Sequence, residues 1–581
     1  MPKNFNFKKY LTERKNKKMK NAKRISAVLL AFVMIFAMSF TTFAFDITLV
    51  SGENKPTAGH TYDIYQIFTG DLEDGVLANI KYGANYTPNG KAAGDLVEKS
   101  VLDSITDARA FAKSIVDNDQ LTGDAAAVLN EENGWEAKGL DAGYYLVVEK
   151  TAADDLPEGE TLSAYIIKVQ DNVVMSPKSG VTHIDKIISN DDNKIHNSLD
   201  ITADGKFDNV SIGSNVEFTL TTPILTNAND FDFCYFIISD KLCDGFTFNN
   251  DIAVTIGGED AVLGEDYTVF TGDEADGYTF RVALLKANEN EGEDVIVTYT
   301  ALLNDKAVIG EIDGNPNRAN LTYSNNPEYD YEDTHENGKP KDEYKPEEGG
   351  SGKYKLPLGV TVDIWTRTYT TGIKVVKVDE NGNALPGASF KLEGVNVVGV
   401  LVKQEVFTES ENGEYWLLKN GFYTKDDPAT EGMDTSVYAD VNKKYEKTVV
   451  TRQDSVTTDE MVEGTVGANG VIIFDGLGEG TFTITETVTP AGYNTIAPFN
   501  VVIEWDAPEQ GSNDCNWTVK VADEEIEMNE DGVFAFEIVN HSGIELPETG
   551  GIGTTIFYIV GAALVIGAVV ILVTRKRMSK N

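Results

Sequence analysis

The run Gly551–Thr574 is 24 residues without a charge, and Arg575-Lys576-Arg577 follow it directly. An apolar stretch of that length crosses a bilayer as one helix, and the trailing cations hold its end on the cytoplasmic side. The other end is also an address. Ten bases and one acid crowd residues 1–44, and the apolar stretch Ala27–Phe40 leads to Thr42-Phe43-Ala44. Small residues at the two positions a signal peptidase reads predict a secretory signal peptide, residues 1–44, cleaved after Ala44. Its basic leader is long, and Met19 is an alternative start. Whatever lies between must therefore fold on the outer side of a membrane.

That middle part is strongly acidic. The two ends take 14 of the 49 bases and one of the 93 acids, so residues 45–549 keep 35 bases against 92 acids. Such a surface repels phosphate backbones, and no nucleic-acid partner is expected. Three cysteines (Cys234, Cys243, Cys515) are too few for a disulfide scaffold, and Cys234 and Cys243 are expected as free, partly buried thiols. Five scattered histidines and no Cys-x-x-Cys give no metal site, and no cofactor is expected.

The body reads as all-β. Short β-prone runs recur at Thr61–Phe68, Gly143–Val148, Val216–Leu220, Val295–Tyr299, Ile373–Val378, Thr481–Thr485 and Phe534–Ile538. Gly, Asn and Asp clusters separate them, as in tandem immunoglobulin-like sandwiches. One helix is expected over Ala108–Val116, opened by Thr106-Asp107. The polar stretch Glu328–Lys353 reads as an exposed excursion. The expected division is 45–180, 181–370 and 371–545, then the motif 546–550, the span 551–574 and the tail 575–581.

Leu546-Pro547-Glu548-Thr549-Gly550, just before the uncharged span and basic tail, resembles the LPxTG cell-wall sorting signal of Gram-positive surface proteins. The resemblance implies that a sortase cysteine attacks the Thr549 carbonyl and holds the chain as a thioester until an amine displaces it. The membrane helix is then a transient stop, and this chain is a substrate rather than an enzyme.

The third segment opens Thr371-Gly372-Ile373-Lys374-Val375-Val376-Lys377-Val378-Asp379 and continues Leu385-Pro386-Gly387-Ala388. It later has Thr483-Ile484-Thr485-Glu486-Thr487 and closes on Phe536-Glu537-Ile538-Val539-Asn540. This is similar to the collagen-adhesin B-type domain of pilins and wall adhesins, with Glu486 in the position of the pilin E-box. The likeness implies a spontaneous amide between Lys377 and Asn540, assisted by Glu486. Lys374 competes for the lysine role; Lys377 is preferred because it stands immediately before Val378-Asp379. The chemistry is reasonable, since burial favours a neutral, nucleophilic amine and a protonated acid. Contact between amine and amide supplies the rest through proximity.

The second segment begins Thr182-His183-Ile184-Asp185-Lys186 and includes Phe236-Ile237-Ile238-Ser239-Asp240. With Gly314–Pro327 it is similar to the fimbrial isopeptide-forming D2 domain, which implies Lys186 as amine and Asp240 as buried acid. Five asparagines lie between 315 and 326. Strand parity puts Asn317 and Asn325 on the face of Ala319, Leu321 and Tyr323. Asn317 is preferred, with Asn325 as the other choice. The first segment, through Thr61–Gly70 and Gly139–Glu149, resembles the N-terminal domain of major pilins; no lysine there matches the amide pattern, and no internal bond is expected. At the first boundary, Ser176-Pro177-Lys178 resembles the pilin Pro-Lys pair whose amine attacks the thioester of another subunit, with Ser176 where Tyr is common.

The resemblance as a whole implies the backbone subunit of a sortase-assembled pilus, fixed covalently at the cell surface to wall or fibre. Its partners would be further copies of itself, sortase and peptidoglycan, with minor pilins and a host surface ligand beyond them. The alternative is a wall-anchored adhesin or minor pilin that is never polymerised.

Overall fold

The computed structural model describes residues 44–543, apart from 52–57, 153–154, 190–199, 203, 346–353, 395–398, 456–461, 509–515 and 529–532. The expected signal peptide, the motif Leu546–Gly550, the span and the tail lie outside the described residues. Among those described, no helix is long and apolar enough to cross a membrane.

The architecture is mostly β, and each β-prone run named above lies in a strand, save that Thr61 stands one residue before Tyr62–Glu73. The first unit has a central sheet of Val76–Tyr82, Tyr62–Glu73, Gly143–Glu149 and Ala164–Val169, with Ala127–Leu129 on its flank. The strand Gly143–Glu149 is apolar on both sides, and the structure uses both. Tyr145 and Val147 face a second, three-stranded sheet built on Phe45–Leu49, while Leu146 and Val148 face a helix. That helix is Ala108–Asp117, with the Asp107 side chain accepting from the Arg109 and Ala110 amides as its N-cap. A second helix, Lys99–Ser104, leaves only Val101 and Leu102 half-buried against the core, too few apolar positions for a period to be read.

The second unit is a sandwich. One sheet holds, in order, Phe207–Asn209, Ile364–Tyr369, Asn315–Ser324, Phe236–Leu242, Phe280–Leu284 and Tyr267–Thr271. The facing sheet runs Ala253–Ile256, Asp294–Leu303, Asn215–Pro223 and Asp185–Ser189. Phe218, Leu220, Ile238, Val297, Tyr299 and Leu321 meet between them in one core.

The stretch after Ser324 corrects the expectation of an exposed excursion. Tyr331 is fully buried and its hydroxyl donates to the Pro357 carbonyl (2.7 Å). His335 stacks on Phe233 with ring centroids 3.6 Å apart, and Thr334 hydrogen-bonds the Tyr235 hydroxyl (2.8 Å). Tyr329, Tyr331 and Tyr344 are interleaved with the acids, so the segment has an apolar side that packs on the core.

In the third unit the first strand, Thr371–Asp379, lies parallel to the last, Phe534–Asn540. Val471–Leu477, Gly399–Glu409 and Tyr445–Ser455 complete their sheet. The facing sheet centres on Ser389–Gly394, Gly480–Val488 and Phe499–Asp506, over a core that includes Phe390, Ile484 and Trp505.

The units are tied by backbone as well as side chains. Gly159 N donates to the Tyr323 hydroxyl (2.7 Å) and Leu162 N to the Asn325 carbonyl (2.8 Å), joining first to second. Ile212 N donates to the Gly476 carbonyl (2.9 Å), joining second to third. Gly476 has φ +80°, and a Cβ there would stand 2.4 Å from Ile212 Cδ1, so this close approach requires glycine.

Candidate functional site

In the second unit, strand alternation turns Lys186 and Ile188 inward from Asp185–Ser189. Asp240 comes from the middle of the opposite sheet, and Asn317 from the neighbouring strand, where Leu242 pairs with Asn317 and Asp240 with Ala319. All three side chains are buried. The Lys186 amine donates to Asp240 Oδ2 and to the Tyr299 hydroxyl, the latter at 2.9 Å. Asn317 Nδ2 donates to the same hydroxyl at 2.7 Å. The structure thus brings Lys186, Asp240 and Asn317 into one cluster, with Tyr299 as a fourth member that the sequence did not single out.

Burial pulls Lys186 down to about 8 against the opposing pull of Asp240. Burial pushes Asp240 up, and the ammonium beside it only partly offsets this. Both shifts move the pair toward its uncharged form, a neutral amine beside a protonated acid. Asn325 lies past the strand end, where its carbonyl holds Leu162 of the first unit.

In the third unit, Ile373, Val375 and Lys377 face the core while Lys374 faces out. Lys377 is fully buried, and its amine donates to the Ile538 carbonyl (2.9 Å). Burial lowers it to about 8, opposed by Glu486. Asn540 Nδ2 donates to Glu486 Oε1 (2.9 Å), and Glu486 Oε2 accepts from Ile496 N (3.0 Å). Lys374 instead pairs with Glu405 (3.3 Å) on the outer face of the sheet.

Lys178 is exposed between buried neighbours, Pro177 on one side and Ser179 and Gly180 on the other. Gly180 N donates to Thr161 Oγ1 (2.7 Å), and Thr161 N to the Gly180 carbonyl (3.1 Å), so the segment is pinned while the lysine projects. Thr549 lies outside the described residues.

One buried cluster was not foreseen. His60 Nδ1 meets Glu149 Oε1 (2.5 Å) and Nε2 meets Glu160 Oε2 (2.8 Å), all three residues being buried. Burial opposes a charge on the ring, yet the two carboxylates outweigh it and raise His60 to about 9. Its partners stand far away in sequence, and a lone loop histidine gives no signal of them. Cys234 and Cys243 are free thiols. No metal-holding cluster occurs among the described residues.

Residues 371–514 match the SpaA family, a prealbumin-like fold domain, and residues 538–580 match the LPXTG cell wall anchor motif. The chain is a wall-anchored surface protein. It carries the signal for sortase-mediated attachment, and it is similar to backbone pilins. The trypsin-resistant surface T6 protein of Streptococcus pyogenes serotype M6 is 25% identical over 388 residues, 63% of this chain and 65% of that protein. Among solved structures, the T6 backbone pilin of Streptococcus pyogenes is 18% identical, covering 86% of this chain and 98% of that one at a TM-score of 0.47. The major pilin SpaD of Corynebacterium diphtheriae is 17% identical, covering 86% and 97% at 0.42.

Proposed function

We propose that this chain is the backbone subunit of a covalent surface pilus, organised as 45–180, 181–370 and 371–545. Sortase joins Thr549 of one copy to the Lys178 amine of the next, and Gly551–Thr574 holds the precursor in the membrane until then. Two internal amides, Lys186–Asn317 and Lys377–Asn540, brace the second and third units. Asp240 and Glu486 are the assisting acids. The observation that carries this reading is the pair of fully buried lysines between an exposed junction lysine and a wall anchor: Lys186 in one cluster with Asp240 and Asn317, and Lys377 on the strand that ends at Asn540, itself bonded to Glu486. Uncrosslinked buried lysines would be costly, because each must be held in apolar surroundings by partners alone.

The layout has a mechanical consequence. Tension in the polymer enters at residue 178 and leaves at 549, so most of the first unit stands outside the load path. The two amides shunt force past 131 and 163 residues of chain, the spacings from 186 to 317 and from 377 to 540. The strands inside those bypasses need not unzip under load, and the first unit needs no such brace.

The test is an immunoblot of wall extracts boiled in detergent, wild type beside Lys178→Ala. A ladder of high-mass species that collapses in the variant supports the proposal. A single band in both would leave a singly anchored adhesin. A ladder in both would keep the polymer but move its linkage to another amine.

A further inference from the structure

The Tyr299 hydroxyl touches both nitrogens that must exchange a proton if Lys186 and Asn317 are to join. It stands 2.9 Å from the Lys186 amine and 2.7 Å from Asn317 Nδ2, the nitrogen that would leave. The Asp240 carboxyl lies in the same cluster, bonded to the Lys186 amine. A phenol has one proton to give and two lone pairs to receive with; the two nitrogens take the lone pairs, and the proton is left to give. The ring is fully buried and locked, 4.7 Å from Phe280 and 5.3 Å from Phe218 between centroids. Burial holds the phenol far above its ordinary pKa, so it rests as a neutral hydroxyl able to take one proton while giving up another.

The geometry points to Tyr299 as a catalytic residue of amide formation in the second unit, relaying a proton from the attacking amine to the departing ammonia. This rests on the Lys186–Asn317 bond proposed above. Asp240 first takes a proton from the Lys186 ammonium. The neutral amine attacks Asn317 Cγ, and the Nζ–Cγ bond forms. Nζ gives a proton to the Tyr299 oxygen as that oxygen passes its own proton to Nδ2. The Cγ–Nδ2 bond breaks, ammonia leaves, and Tyr299 is again a neutral phenol. No other reagent is needed.

The third unit supplies an internal control. There the acid itself touches the amide, through Asn540 Nδ2 to Glu486, and the amine rests on a backbone carbonyl. No tyrosine stands in that cluster among the described contacts, so the Lys377–Asn540 bond is independent of Tyr299.

The test follows both bonds during cell-free synthesis of the full chain, sampling over minutes to hours and scoring the crosslinked peptides by mass spectrometry after digestion. In Tyr299→Phe the Lys186–Asn317 peptide should appear on the order of 100-fold more slowly, while the Lys377–Asn540 peptide keeps its wild-type rate. Phe280→Leu loosens the same ring but keeps the hydroxyl, and should stay within a few-fold of wild type. An unchanged rate in Tyr299→Phe overturns the relay, as does equal slowing by Phe280→Leu, which would assign the effect to packing. If Tyr299→Phe does not fold, the wild type synthesised in D2O decides: the relay requires greater slowing at 186–317 than at 377–540, and equal slowing overturns it. A wild type with no 186–317 crosslink overturns the underlying reading instead.

Discussion

Glu486→Gln separates the third unit's crosslink from its packing. The substitution keeps the shape and one accepting oxygen, but it removes the acid that meets Asn540. The bond from 377 to 540 closes a loop of 163 residues. In the chain-entropy picture a crosslink over that span restricts the unfolded chain by about 5 kcal/mol. For a unit of this size each kcal/mol moves Tm by roughly 2–4 °C, so the third unit should melt roughly 10–20 °C lower. Lys377 is then left buried with only carbonyls for company, which adds to the loss. Intact mass comes first: the variant should be heavier than wild type by about 17 Da beyond the substitution, the ammonia it retains. Scanning calorimetry then assigns the shifted transition. A variant that still loses that ammonia would show that Glu486 is not needed. A variant that keeps it yet melts within about 3 °C of wild type would refute the argument that the crosslink supports this unit.

Three further outcomes follow from other parts of the molecule. Because His60 is raised to about 9 in the fold and sits near 6.5 unfolded, its ion pairs stabilise fully below about pH 6.5 and are lost as pH rises through about 9. The first unit's Tm should fall across that window, and His60→Gln should flatten the fall; a wild-type Tm that is level from pH 6.5 to 9 would contradict the ion-pair account. Gly476→Ala places a methyl against Ile212 in a left-handed backbone, which should cost about 1–3 kcal/mol and speed proteolysis at the junction of second and third units. Asp107→Ala removes the N-cap of Ala108–Asp117 and should cost about 1 kcal/mol, read as a shift in the first unit's urea midpoint with unchanged slope.

Strands were legible wherever period-two alternation met Gly, Asn and Asp turns, as at Ile373–Val378 with Lys377 on the apolar face. The resemblance called for an asparagine and parity narrowed it to Asn317 or Asn325; only Asn317 lies within the strand, in register with Ala319 and Leu321. Tyr299 escaped for the opposite reason. In Val295-Ile296-Val297-Thr298-Tyr299 it reads as one more apolar core position, and only the meeting of two sheets shows what its hydroxyl touches. His60 and its carboxylates sit 89 and 100 residues apart in the chain, joined by tertiary contact alone. The segment after Ser324 was misread because its acids dominate its composition, while Tyr331 and His335 decide where it packs. Helix Lys99–Ser104 turns only Val101 and Leu102 toward the core, too short a pattern to read.

The most direct test of the central claim is to purify the detergent-resistant polymer, digest it and sequence its branched peptides by mass spectrometry. The account predicts a branched species in which the carboxyl of Thr549 is joined to the side-chain amine of Lys178. Recovery of the Lys178 peptide only in linear, unmodified form, with Thr549 joined to peptidoglycan alone, would contradict it.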